Sequence, residues 1–159
     1  MRVESYIVEA HLFRMTNNAL EFLLLKRSET EIYPGIWQMV TGSVHDNENA
    51  FDTALREIKE ETGLIPVKFW VVPHMNSFYS PQRDSVCMVP VFAGLISIDD
   101  DVRISVEHSE FKWVVSEEAR KMLAWDGQRK SVDIIEEYFL NQPGRLKFVD
   151  ISDKIILNK

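Results

Sequence analysis

With a single cysteine, Cys87, the chain cannot close an internal disulfide, and a reducing cytoplasm is the simplest expected location. In the run VCMVPVFAG that thiol reads as a small buried hydrophobe rather than a nucleophile. No apolar stretch approaches the ~20 residues that a membrane-spanning helix needs. The opening MRVESYIVEAHLF also lacks the long apolar core and cleavage site of a secretory leader. Neither a membrane-bound nor an exported state is expected. Positive charge is short too: 18 Lys and Arg face 25 Asp and Glu, for a net charge of -7. That argues against broad electrostatic binding, so no nucleic-acid partner is expected; a single phosphate ligand held through a cation remains open. Repeats and low-complexity tracts are missing. What is there is 159 residues, 45% hydrophobic and 27% charged, enough for one domain with a substantial core.

The densest chemistry lies in GSVHDNENAFDTALREIKEETGL, residues 42–64. From about Asn49 the spacing predicts a helix, with Ala50, Ala54, Leu55 and Ile58 sharing one side as a core-facing stripe. Asp52, Arg56, Glu57, Glu60 and Glu61 fall on the other side. Glu57 and Glu61 lie one turn apart on nearly one line, with Glu60 beside them, and Gly63 supplies the left-handed residue that ends many helices. For a bare helix this is unfavourable. Like charges one turn apart cost roughly 0.2–0.5 kcal/mol in water, and carboxylates near a C-terminus oppose the macrodipole. In a cleft of effective dielectric ~20, charges ~5 Å apart repel by roughly 3 kcal/mol. A divalent cation removes that cost, because Mg²⁺ takes carboxylate oxygens and keeps waters for a substrate phosphate. Taken alone, the helix leaves two readings open: a cation site, or a solvated acidic face partly neutralised by Arg56 and Lys59.

Gly42, Glu48, Arg56, Glu57, Ile58, Glu60, Glu61, Gly63 and Leu64 resemble the Nudix box of the Nudix hydrolase family at every defining position. The resemblance implies an α+β fold, the Nudix-type α/β/α sandwich with a mixed β-sheet, and a pyrophosphohydrolase dependent on Mg²⁺, with Mn²⁺ as the alternative ion. It implies Glu57 and Glu61 as direct metal ligands, Glu60 in the same site or its water shell, and the Thr41 backbone carbonyl completing the shell. Arg56 would pin the loop and the glutamates through ion pairing with Glu48. Glu107, in EHSEFKW, is a carboxylate of the kind that in this family joins the metal site or activates water. Glu60, Glu61 and Glu107 all stand as candidates for the general base.

Before the box, WQMVTGSV is similar to the dihydroneopterin triphosphate and dATP pyrophosphohydrolase subgroup, as is EHSEFKW after it. This implies a small-molecule nucleoside or pterin triphosphate, cleaved to a monophosphate and pyrophosphate. Hydrolysis of dinucleoside polyphosphates or nucleotide sugars is the nearest alternative. A non-catalytic nucleotide-sensing module is the next, disfavoured by the intact set Glu57, Glu60 and Glu61. His45 and Asn47 depart from the acid and glycine often seen in the turn, which leaves its conformation in question.

Along the chain, SYIVEAHLFR and EFLLLKR predict a hairpin turning at residues 16–19. SETEIYPG is a loop, and IWQMV a strand that runs into Thr41 and a glycine turn at Gly42. LIPVKFWVVPH predicts one or two short strands interrupted by Pro66, NSFYSPQRD (76–84) a polar loop, and VCMVPVFAGLI a strand with an edge or bulge at Pro90. Tyr79 and Arg83 in that loop are candidates for a base-stacking, phosphate-contacting lip, against the reading that such aromatics anchor a loop to its own sheet. Arg27 is a further phosphate candidate, or a surface cation capping its strand. Asp99–Asp101 reads as a solvated hairpin tip. Ser116 is expected to cap a helix SEEARKML, Asp126 and Gly127 to break it, and QRKSVDIIEEYFL to form another that buries Val132, Ile135, Tyr138 and Phe139. Residues 1–145 make up the expected domain. The tail, 146–159, is strand-like and either folds back onto the sheet or pairs with a second copy in a homodimer.

Overall fold

The structure, a computed structural model, describes residues 1–17 and 19–157. Asn18, within the expected turn at 16–19, and the last two residues of the tail lie outside the described residues. In chain order the elements are β1 (Arg2–Glu4), β2 (Ile7–Met15), β3 (Leu20–Arg27), β4 (Trp37–Gln38), β5 (Val40–Ser43), α1 (Ala50–Thr62), β6 (Lys68–Ser80), β7 (Ser85–Leu95), β8 (His108–Val115), α2 (Ser116–Met122), α3 (Asp126–Asn141), α4 (Pro143–Leu146) and α5 (Asp153–Leu157).

The strands form one mixed sheet. β2 and β3 make the expected antiparallel hairpin, with the Thr16 N–H donating to the Ala19 carbonyl at 2.9 Å. β7 lies parallel to β1 and β2 and antiparallel to β6. Runs such as LEFLLLKR are apolar at successive positions because both faces of the sheet are covered. On one face Val8, Ala10, Leu12, Leu23 and Leu25 pack under Ala54, Leu55 and Ile58 of α1. On the other, Phe13, Phe22 and Leu24 pack with Ala119 of α2 and Val132 and Ile135 of α3. A sheet between two helical layers is the expected sandwich. Cys87 is fully buried, as a small hydrophobe would be. No described helix is long and apolar enough to cross a membrane.

The feature that positions the site is a wedge. β2 pairs with β3 only over Phe13–Met15, and then the two diverge. Residues 37–43 fill the gap, β4 on β3 and β5 on β2, with a break at Met39 where the strand changes partner. Gly42 therefore sits inside a strand, not in the turn expected from sequence.

Other boundaries differ for identifiable reasons. Pro66 precedes β6 rather than splitting it, and the interruption falls instead between Val71 and Met75, around Pro73. The expected bulge at Pro90 lies opposite that point, where Met75 pairs with it. β7 is an interior strand, and Pro90 falls between its partners on β1 and β2, where no ladder donor is required. Asn76–Ser80, expected in a loop, continue β6 as a half-solvated strand, leaving only residues 81–84 as the turn. Val115 rather than Ser116 is the N-cap of α2. Asp126 starts α3 instead of breaking a helix, because Gly127 lets the first turn press against β6: a Cβ there would stand 1.9 Å from Asn76 Oδ1. The strand-like tail is realised as one bridge, Trp70 to Asp150, between α4 and α5. It folds back onto β6, burying Ile155 in the α1-side core.

Candidate active site

The loop leading into α1 is held by Glu48. Its Oε2 accepts the His45 N–H at 3.1 Å and the Thr53 hydroxyl at 2.7 Å. Asn47 adopts φ 63°, a left-handed conformation that asparagine tolerates, so it stands where a glycine would serve. From the helix, Arg56 reaches back over this loop. Its Nε and Nη2 grip Glu48 with two bonds of 2.7 and 3.0 Å, Nη2 also donates to the Ser43 carbonyl at 3.0 Å, and Nη1 donates to Glu57 Oε1 at 2.7 Å. Paired this way, Glu48 is held well down at about 2, chiefly by the Arg56 hydrogen bonds.

β5 contributes its outer edge. The Val44 N–H donates to the Tyr6 carbonyl, which fixes the parity of the antiparallel ladder: Gly42 and Val40 exchange bonds with β2, while Thr41 and Ser43 turn their backbone groups away from it. The Ser43 carbonyl meets Arg56. The Thr41 backbone bonds Glu61, and its carbonyl points to the same side. Gly42 makes the close approach of α1 possible, since a Cβ there would lie 2.1 Å from Glu57 Cγ.

Glu107 arrives from the loop before β8. That loop satisfies the last carbonyls of α1, with Ser105 N–H on Glu61 and Arg103 N–H on Thr62. It is tied on its far side by Ser28, whose N–H donates to the Glu107 carbonyl and whose hydroxyl donates to Val106. The result is a convergence of carboxylates from two elements. Glu61 is 3% exposed and its Oε2 has no partner. Burial, then the charges of Glu57 and Glu107, push its carboxyl up to about 9. Burial also raises Glu57, against the pull of Arg56.

Glu57, Glu61, Glu107 and Thr41 are thus brought together. Glu60 sits on the rim, 59% exposed and 3.3 Å from Arg56. The other expected contacts fall elsewhere. Arg27 spends its Nε on the Ile32 carbonyl and faces Glu31. Arg83 stacks over Tyr6 and faces Glu4, and the Tyr79 hydroxyl donates to Asp84, so both hold the β6–β7 hairpin tip. Among the described residues no three acidic, histidine or cysteine side chains already stand close enough to hold an ion; Glu57 Oε1 is bonded to Arg56 Nη1. The donor set nonetheless fits a hard divalent cation: all oxygen, negatively charged, with an orphaned buried carboxylate oxygen at its centre.

A second polar group, which no sequence motif marks, lies on the α3 face. Glu9, the cross-strand neighbour of Thr41, is 6% exposed and meets Asn76 and Gln128. The signal was present in β2: Glu9 and His11 alternate on one face of an otherwise apolar strand.

A family model for the NUDIX domain matches residues 6–135. The chain is similar to the asymmetrical bis(5'-nucleosyl)-tetraphosphatase of Mus musculus, 27% identical over 142 residues covering 86% of this chain and 93% of the relative. It is similar to the dihydroneopterin triphosphate diphosphatase of Haemophilus influenzae, 26% identical over 140 residues, 79% of this chain and 83% of the relative. In three dimensions it matches the crystal structure of a Listeria monocytogenes protein assigned as a NUDIX hydrolase, with a TM-score of 0.75 at 28% identity over 87% of this chain and 96% of that one.

Proposed function

The chain belongs to the Nudix hydrolase family, and from that premise we propose that it hydrolyses a phosphoanhydride of a nucleoside or pterin triphosphate with Mg²⁺, yielding a monophosphate and pyrophosphate. The observation that carries this reading is the partnerless, buried Glu61 oxygen between Glu57 and Glu107. An uncompensated carboxylate costs several kcal/mol to bury, which is why burial raises the Glu61 carboxyl, and a cation-bridged phosphate is the ligand that lets it ionise in place. A bound divalent cation would neutralise phosphate charge and lower the pKa of a coordinated water. Glu61, Glu57, Glu107 and the Thr41 carbonyl are the residues that would hold it, with Glu60 reaching its water shell from the rim. Arg56 orients Glu57 and fastens the Glu48 loop beneath it. Mn²⁺ suits the same oxygen donors.

A second reading, hydrolysis of a dinucleoside polyphosphate, is favoured by the similarity to the mouse tetraphosphatase across 93% of that relative. Incubating the protein with Mg²⁺ and nucleoside triphosphates, dihydroneopterin triphosphate, dinucleoside tetraphosphates or ADP-sugars separates the two by product. Pyrophosphate from a triphosphate supports the first reading. A nucleoside triphosphate released from a tetraphosphate, with triphosphates untouched, transfers support to the second. Tight binding without turnover overturns both.

The Gly42 contact gives an independent check. Gly42→Ala drives a Cβ into Glu57 and is expected to lower Mg²⁺-dependent turnover about 10–100-fold by displacing that carboxylate. Overpacking costs about 1–3 kcal/mol in stability, read from thermal melting. An unchanged rate would show that Glu57 does not need its position over β5.

A further inference from the structure

β6 is the last strand on its side of the sheet, and its outer edge is only half covered. The tail lies along the first half: the Val71 N–H donates to the Val149 carbonyl and the Ile151 N–H to the Phe69 carbonyl, each at 2.9 Å. Beyond Val71, among the described residues, no backbone partner meets that edge. The pairing with β7 shows which groups are left there. Met75 lies opposite Pro90, which has no N–H to give, so the two cannot exchange ladder bonds and the Met75 backbone faces outward. Ser77 gives its N–H to the Asn76 side chain at 2.9 Å rather than to β7. Met75, Ser77 and Tyr79, at alternate positions, therefore turn their N–H and C=O groups to the open side.

This free edge carries none of the usual protection. Residues 75–80 read MNSFYS, without charge or proline, and Met75, Phe78 and Tyr79 are 50%, 42% and 53% exposed. By contrast, β8, which pairs only with β3, carries Glu110 and Lys112 along its length. Charged side chains keep an edge single, whereas an uncharged apolar edge is a template for another strand.

We propose that this strand is β6 of a second copy of the chain, added antiparallel about a two-fold axis at Ser77, so that the two sheets become one. Such pairing is isologous, and the segment must complement itself read backwards. Residues 75–79 meet that condition. With Ser77 opposite Ser77, outward backbone groups meet outward backbone groups. Met75 falls opposite Tyr79 of the second copy, and the axis repeats the contact; a thioether beside a phenol ring is a favourable cross-strand pair. On the other face Asn76 meets Phe78. No like charges are brought together, and the tail closes the edge at Val71, leaving just this stretch open. A strand of a different protein could use the same backbone groups, but the self-matching side chains favour a second copy. The paired stretch is short, so the dimer is reversible, with a Kd of about 1–100 μM.

Sedimentation equilibrium of the full chain, at concentrations spanning that range, is expected to show the mass rising from 18.5 kDa towards twice that value. Ser77→Pro removes an N–H that the β6–β7 ladder does not use, and is expected to weaken association by about tenfold or more with melting at low concentration unchanged. Ser77→Cys gives a readout that does not depend on loss. Facing residues of a hydrogen-bonded pair have Cα atoms ~5.5 Å apart, within disulfide reach, and the fully buried Cys87 does not compete. Oxidation with copper phenanthroline is expected to convert Ser77→Cys to a covalent dimer. Met75→Cys alone should not cross-link, because its two copies stand out of register, whereas a mixture of Met75→Cys and Tyr79→Cys should. A monomer at every concentration leaves the edge to a different protein and overturns the proposal. Association untouched by Ser77→Pro, or Met75→Cys alone cross-linking as readily as Ser77→Cys, also overturns it. Should Ser77→Pro melt lower than the wild type, the cross-linking pattern decides.

Discussion

Replacing Glu61 by glutamine is expected to lower kcat/KM about a thousandfold or more, corresponding to about 4 kcal/mol of transition-state stabilisation. The metal-free protein should be at least as stable as the wild type. The two halves follow from one fact. Glu61 is 3% exposed, has an oxygen without a partner, and faces the charges of Glu57 and Glu107. In the free protein burial pushes its carboxyl up to about 9, so that it is protonated near neutral pH, and glutamine reproduces that neutral shape. In the loaded protein the ionised carboxylate is what grips the cation. Glu60→Gln is the control, because Glu60 is 59% exposed with its carboxylate 3.3 Å from Arg56; the expected loss is about tenfold or less. Initial rates at saturating Mg²⁺ and melting with and without the ion measure both halves. The wild type should gain stability with Mg²⁺ and Glu61→Gln should gain far less. A near-normal rate in Glu61→Gln, or a large loss of metal-free stability, would remove Glu61 from the centre of the site.

How legible this was depended on how local each signal is. α1 was legible because its apolar stripe and its acidic row arise within the 13 residues of one helix and Gly63 (φ 72°) directly caps it. The β2–β3 hairpin was legible for the same reason. Glu107 was suggested by its motif, but only the capping of α1 by Ser105 and Arg103 brings it to Glu61, and that is a long-range fact. Gly42 read as a turn because glycine usually marks one. Its use here is room for Glu57, which depends on how closely α1 packs on β5. From sequence β6 looks shorter than it is because Asn76, Ser77 and Ser80 resemble loop residues, yet pairing with β7 satisfies their backbone and one side stays wet. Glu9 was overlooked because one acid in an apolar strand is weak evidence until Asn76 and Gln128, 67 and 119 residues away, are seen beside it.

Arg56→Ala has the largest expected effect on the fold, about 2–3 kcal/mol of stability and so roughly 5–10 °C in melting temperature, with about 10–100-fold lost from turnover. The guanidinium bonds Glu48 twice, the Ser43 carbonyl, and Glu57, while only a fifth of the side chain is exposed. Truncation leaves two part-buried carboxylates without their cation and frees the loop that Glu48 organises through His45 and Thr53. The exposed contact to Glu60 adds little. The sign of the pH dependence follows from Glu48, whose folded pKa of about 2 lies below the unfolded value near ~4.3. Its contribution is complete above the unfolded value and fades as pH falls towards about 2, so wild-type and Arg56→Ala melting temperatures should converge in acid. Arg56→Lys separates charge from geometry. A lysine keeps the positive charge near Glu48 but cannot bond Glu48, Ser43 and Glu57 at once. It should recover part of the stability and little of the rate. Full recovery of both by lysine would mean that Arg56 acts only as a charge and does not position Glu57.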